Sequence, residues 1–120
     1  MPGLNYQRVP LLRLQTVDET TSTPVNVLGY PTVGIYVTGA GTTSSGVVTI
    51  ETADFNPSNE STYTGTWSAI TTVNASDVTG GATKFIGLPV AGYSQIRTRI
   101  STVIGGGGTI STTLVAVSNG

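Results

Sequence analysis

Hydrophobic side chains alternate with polar or small ones along most of this chain, and the phase of that alternation defines candidate strands. In Thr32-Val33-Gly34-Ile35-Tyr36-Val37-Thr38, Val33, Ile35 and Val37 share one face. In Gly46 to Thr52, Val48 and Ile50 point inward and Thr49 and Glu51 outward. Tyr63 to Val73 reads as a long strand bent near Gly65, and Thr83 to Leu88 as a shorter one. Ser94 to Val103 places Ile96, Thr98 and Ile100 on one side and Gln95, Arg97 and Arg99 on the other. Four glycines, Gly105 to Gly108, then permit the positive φ of a tight turn, and Thr109 to Val117 returns as the partner of a predicted hairpin.

The first 31 residues follow a different pattern. Prolines at 2, 10, 24 and 31 punctuate them, and only Leu11 to Val17 carries a strand signal. Residues 1–10 therefore read as an extended N-terminal arm, and residues 11–120 as one domain. Gly39 to Gly46, Asp54 to Glu60, Asn74 to Ala82 and Pro89 to Gly92 read as loops. No stretch of ten residues keeps helical periodicity without a glycine or β-branched interruption. Seven or eight strands spaced by turns predict an all-β fold, a single jelly-roll-like antiparallel β-sandwich.

Composition narrows the function classes. Charged residues are 9% of the 120, five basic and six acidic, with no histidine and no cysteine. A formal charge of -1 offers no cationic field to a phosphate backbone, so nucleic acid is not an expected partner. No apolar run reaches the ~20 residues of a membrane-spanning helix, and Met1 to Asn5 lacks a signal peptide's basic and apolar regions, so synthesis in the cytoplasm is expected. Few charges and a single lysine, Lys84, leave strand edges and faces poorly protected, which favours association with other chains.

Candidate chemistry is sparse. Asp54, Asn56, Ser58 and Glu60 alternate as in a calcium loop, but Asn59 and Gly65 stand where an EF-hand needs glycine and a bidentate glutamate. The glycine runs precede no helix and no Gly-Lys-Ser/Thr follows them, which removes the phosphate-loop reading. Serine has no histidine to activate it, and Glu51 and Asp54 read as solvated carboxylates. No catalytic residue, cofactor site or metal site is assigned. Asn59 and Asn74 fit glycosylation triplets that a chain without a signal peptide does not use. Trp67 and Tyr63 read as core or edge aromatics, with a carbohydrate platform as the lesser reading. Arg97 and Arg99 share a face of one strand, either hydrated there or meeting carboxylates across a subunit interface.

Four phrases carry a family resemblance: Gly46-Val47-Val48-Thr49-Ile50-Glu51, Tyr63-Thr64-Gly65-Thr66-Trp67, Val73-Asn74-Ala75-Ser76, and Gln95 to Ser101 followed by the glycine turn and Thr109 to Leu114. In them the chain resembles the capsid decoration, or cement, proteins of tailed bacteriophages. That resemblance implies a non-enzymatic virion protein on the outer capsid surface, a homo-oligomer, commonly a trimer, bound to the major capsid protein. It also implies that Leu4, Tyr6 and Val9 of the arm are buried on a capsid or neighbouring subunit, with Arg97 and Arg99 as further assembly contacts. A tail-fibre or receptor-binding module, or a carbohydrate-binding module, are the alternatives.

Overall fold

Among the described residues eight strands form in chain order: β1 Leu4–Pro10, β2 Val25–Asn26, β3 Thr32–Ala40, β4 Ser45–Ala53, β5 Ser68–Asn74, β6 Thr83–Leu88, β7 Gln95–Gly105 and β8 Thr109–Asn119. The structure, a computed structural model, describes residues 4–27, 30–54, 67–88 and 94–119, with side chains from residue 7 to residue 117. The strands make two four-stranded sheets, ordered β1-β8-β3-β6 and β2-β7-β4-β5.

Every pairing is antiparallel, and the pairs β4–β5, β3–β6, β2–β7 and β1–β8 nest outward from the middle of the chain. A ribbon folded at β4–β5 and wrapped around itself, then zipped through β3–β8 and β4–β7, gives that order. This is the jelly roll, and the all-β sandwich expected from the alternation is the fold observed.

The core lies between the sheets. Ile35 and Val37 from β3 and Ile110 and Leu114 from β8 meet Val48 and Ile50 from β4 and Ile96 and Ile100 from β7, all fully buried. Full burial of an aliphatic side chain of this size contributes about 1.5–3 kcal/mol. The inward sets predicted for β3, β4 and β7 are the ones that face this core.

Four local expectations are corrected. Leu11 to Val17 is not a strand: Leu12 is buried but Leu14 adopts φ 52 and is exposed, which breaks the extended run. The segment instead crosses between sheets. Leu11 and Gln15 donate N–H bonds to Thr112 and Ile110 of β8 (2.8 and 2.9 Å), whereas Glu19 and Ser22 donate to Ile100 and Thr98 of β7 (2.7 and 2.9 Å).

The second correction concerns β7 and β8, which are consecutive but lie in opposite sheets, so Gly105 to Gly108 forms an arch over the core and not a hairpin. Gly106 and Gly107 turn the arch with φ of 106 and 91, values that favour glycine. Third, Asn74 to Ala82 contains a 3-10 segment, Ala75–Gly81, interrupted at Val78 to Gly80. Fourth, the Gly39 to Gly46 loop is shorter than expected, because β3 extends to Ala40 and β4 begins at Ser45. The predicted bend near Gly65 and the Pro89 to Gly92 turn lie outside the described residues.

The arch places Thr98 and Thr112 opposite each other inside the core, their hydroxyls 2.8 Å apart. Thr112 Oγ1 also accepts the Leu12 N–H (3.0 Å), and Ser22 Oγ accepts the Thr98 N–H (2.9 Å). This chain of bonds ties the crossing segment to both sheets. Thr112→Val is expected to destabilise by about 1–3 kcal/mol in urea unfolding, because it orphans a buried N–H and a buried hydroxyl. Adding Thr98→Val removes that hydroxyl, so the double variant should cost less than the sum of the singles.

Candidate functional site

The two outer faces of the sandwich differ in chemistry, and the alternation that fills the core determines what each displays. On the β2-β7-β4-β5 sheet the outward positions of β4 include Thr49 and Glu51, and those of β7 include Arg97, Arg99 and Ser101. Register places Glu51 opposite Arg97 and Thr49 opposite Arg99.

Glu51 uses both carboxylate oxygens. Arg97 Nε donates to Oε1 at 2.9 Å and Arg99 Nε to Oε2 at 3.1 Å, and Arg99 Nη1 reaches Glu19 Oε1 at 2.8 Å. The Arg97 guanidinium lies 4.2 Å from the centroid of the Trp67 ring. Trp67 is thereby brought into the site by a cation–π contact. Glu51 points outward as expected but is not solvated: its side chain is 6% exposed beneath the two arginines, while Glu19 at the end of the row is 72% exposed. The row Glu19, Arg99, Glu51, Arg97 sums to zero charge, and each guanidinium edge is set by a carboxylate of its own chain. No buried side-chain nitrogen or oxygen among the described residues lacks a partner. Below the row, Thr49 Oγ1 donates to Ser101 Oγ at 2.7 Å, and Ser101 Oγ to the Val47 carbonyl at 3.2 Å.

The β1-β8-β3-β6 sheet carries different outward rows. One runs Pro10, Thr113, Tyr36, Phe85 across the four strands, and the next Arg8, Val115, Gly34, Gly87. Tyr36 is 41% and Phe85 53% exposed, with ring centroids 4.7 Å apart and planes tilted by 52°. Phe85 lies across the backbone at Gly34, where an added Cβ would sit 2.2 Å from its Cζ. A side chain at that position would displace the ring, so glycine is what lets Phe85 lie flat. Thr38 and Thr83 hydroxyls pair at 2.9 Å beyond it. Arg8 is the one charged side chain among the described residues of these rows.

The sequence-predicted contacts are therefore dispersed. Leu4 and Tyr6 belong to β1, their side chains outside the described residues, and the segment that contains them is laddered onto β8. Val9, in the same strand, is half-buried and packs against the chain's own core. Arg97 and Arg99 lie on the opposite sheet. Asp54 Oδ1 accepts a bond from the Ser94 hydroxyl at 2.8 Å, and the rest of the Asp54 to Glu60 segment, with Tyr63, lies outside the described residues. Sequence reasoning missed the Tyr36–Phe85 pair. The signal was present, since both are aromatics in the outward phase of their strands.

No family model matches the sequence, and no curated protein matches it. Among solved structures, the SPBc2 prophage-derived protein YomS is similar with a TM-score of 0.64 at 12% identity, covering 98% of this chain and 97% of that one. The Triatoma virus empty capsid is similar with a TM-score of 0.52 at 9% identity, covering 98% of this chain and 69% of that chain. At such low identities these likenesses establish the fold, the jelly roll already evident from the strand order.

Proposed function

We propose that this chain is a non-enzymatic virion structural protein, a capsid decoration protein that binds the outer surface of a tailed-phage head and reinforces it. The observation that carries the reading is the end-to-end likeness to a prophage-derived jelly roll of matching extent. Two features of the chain support it. Among the described residues, the charged row of the polar face pairs its guanidinium groups with carboxylates of its own chain. The opposite face is poor in charge and rich in hydroxyls, which suits close packing in an assembly.

In this reading the chain is a homo-oligomer, a trimer, with the major capsid protein as its second partner. Many copies on a lattice give weak individual contacts an avidity advantage. Leu4 and Tyr6 remain the proposed contacts to a capsid or neighbouring subunit, and Arg97 with Arg99, on the opposite sheet, the proposed contacts to a neighbouring subunit. Trp67 has Arg97 of its own chain over one ring face, a contact that gives the ring a role within the fold.

Heads that lack the chain, mixed with purified protein and sedimented, test the reading. The protein is expected to pellet with the heads and to raise the temperature at which they release their contents. Protein left in the supernatant at every ionic strength would contradict it.

A further inference from the structure

We infer that the outer face of the β1-β8-β3-β6 sheet, with Tyr36 and Phe85 on its β3–β6 side, is where a second copy of this chain docks. The inference goes beyond the proposed function: a face that meets its own copy makes an isologous contact, which by itself gives a pair of chains and not the trimer of that reading, and it does not depend on the capsid partner.

Size supports it first. At about 4.8 Å between strands and about 3.3 Å per residue, the lengths of the four strands project roughly 500 Å². Side-chain relief brings that toward the roughly 800 Å² per partner of a standard interface.

Charge decides the occupant. Burying this face against a surface with ordinary charge density would strand carboxylates or ammonium groups opposite Tyr36, Val115 and Thr113, at a desolvation cost that nothing on the face offsets. Apart from Arg8, the described residues of a copy of the same face bring hydroxyls, glycines, aliphatics, aromatics and a proline. Its single described charge, Arg8, lies on the edge strand β1, where an interface has its solvated polar rim. Among the described residues, the sandwich's other face, with its buried carboxylate and paired guanidinium groups, shows no comparable patch.

Preorganisation supplies the anchor. Phe85 is held flat over Gly34 and against Tyr36 before any partner arrives, so little side-chain freedom is lost on docking. Preorganised aromatics of this kind carry a large share of interface energy.

Sedimentation velocity of the full chain at micromolar concentration tests the inference, using two variants that alter the face differently. Tyr36→Thr with Phe85→Thr removes the anchor and keeps strand propensity; Thr113→Lys keeps both rings and places a charge between them and β1. Far-UV circular dichroism monitors the fold. The unaltered chain is expected to sediment as an oligomer, and each variant to associate roughly 30-fold or more weakly while still folded. A monomeric unaltered chain, or folded variants that associate as before, would overturn the inference. Head binding measured in parallel separates the two readings. Variants that lose head binding but keep their oligomer would assign the face to capsid and overturn the second-copy docking. Oligomers broken by the variants, from a chain that never binds heads, would leave this inference standing and remove the decoration role.

Discussion

Leu114→Ala is expected to lower stability by about 2–5 kcal/mol, the cost of deleting a large buried aliphatic and leaving a partly collapsed cavity. Leu114 is fully buried, lies in β8 between β1 and β3, and pairs with Val9 on one side and Ile35 on the other. Both neighbours are fixed by ladders, so the site cannot close over the missing carbons. For a domain of this size the loss corresponds to a fall in melting temperature of roughly 10–20 °C. Val115→Ala, one residue further along, removes a side chain from the outer face and is expected to cost less than about 1 kcal/mol. The contrast tests register, because a slip of one residue would exchange the two positions. Urea unfolding should show the Leu114→Ala midpoint falling with little change in slope. A larger loss for Val115→Ala would contradict the pairing of β8.

Glu51→Ala is expected to cost about 2–4 kcal/mol, a little under the range for breaking a fully buried pair, because both arginines keep partial contact with water. The carboxylate is the common acceptor for Arg97 Nε and Arg99 Nε. Without it, two guanidinium groups remain side by side, with only Glu19 to offset them. A second effect makes the result specific. Arg97 is positioned over Trp67 by its bond to Glu51, and Trp67 is the chain's one tryptophan. Its fluorescence should therefore change in the folded variant. Arg97→Leu added to Glu51→Ala should cost less than Arg97→Leu alone, since the double variant removes an unpaired charge. Additive losses with unchanged fluorescence would show that the row is not coupled.

Which face of β3, β4 and β7 turns inward was legible in the sequence, and which strand lies beside which was not. Val33, Ile35 and Val37, and Ile96, Thr98 and Ile100, declare their buried side through a period of two. That period is the same whether β7 meets β8 as a hairpin neighbour or across the core, and four glycines serve an arch as well as a turn. The Leu12 and Leu14 alternation imitates a strand, and only the left-handed backbone at Leu14 shows that the chain leaves the sheet there.

The site followed the same rule. Two arginines on one face needed a carboxylate, and Glu51 had been placed outward on its own strand. That they meet depends on the β4–β7 register, which brings together residues 46 and 48 positions apart. Burial of Glu51 follows from that pairing and not from its local sequence. Tyr36 and Phe85 could have been picked out by phase, but their contact required β3 and β6 to be neighbours.

Image reconstruction of heads incubated with the purified chain tests the proposal that this jelly roll coats a capsid. The account predicts protrusions at regularly repeated lattice positions on the outer surface, each with density for more than one copy of the sandwich. Heads whose surface is unchanged at saturating protein would contradict it.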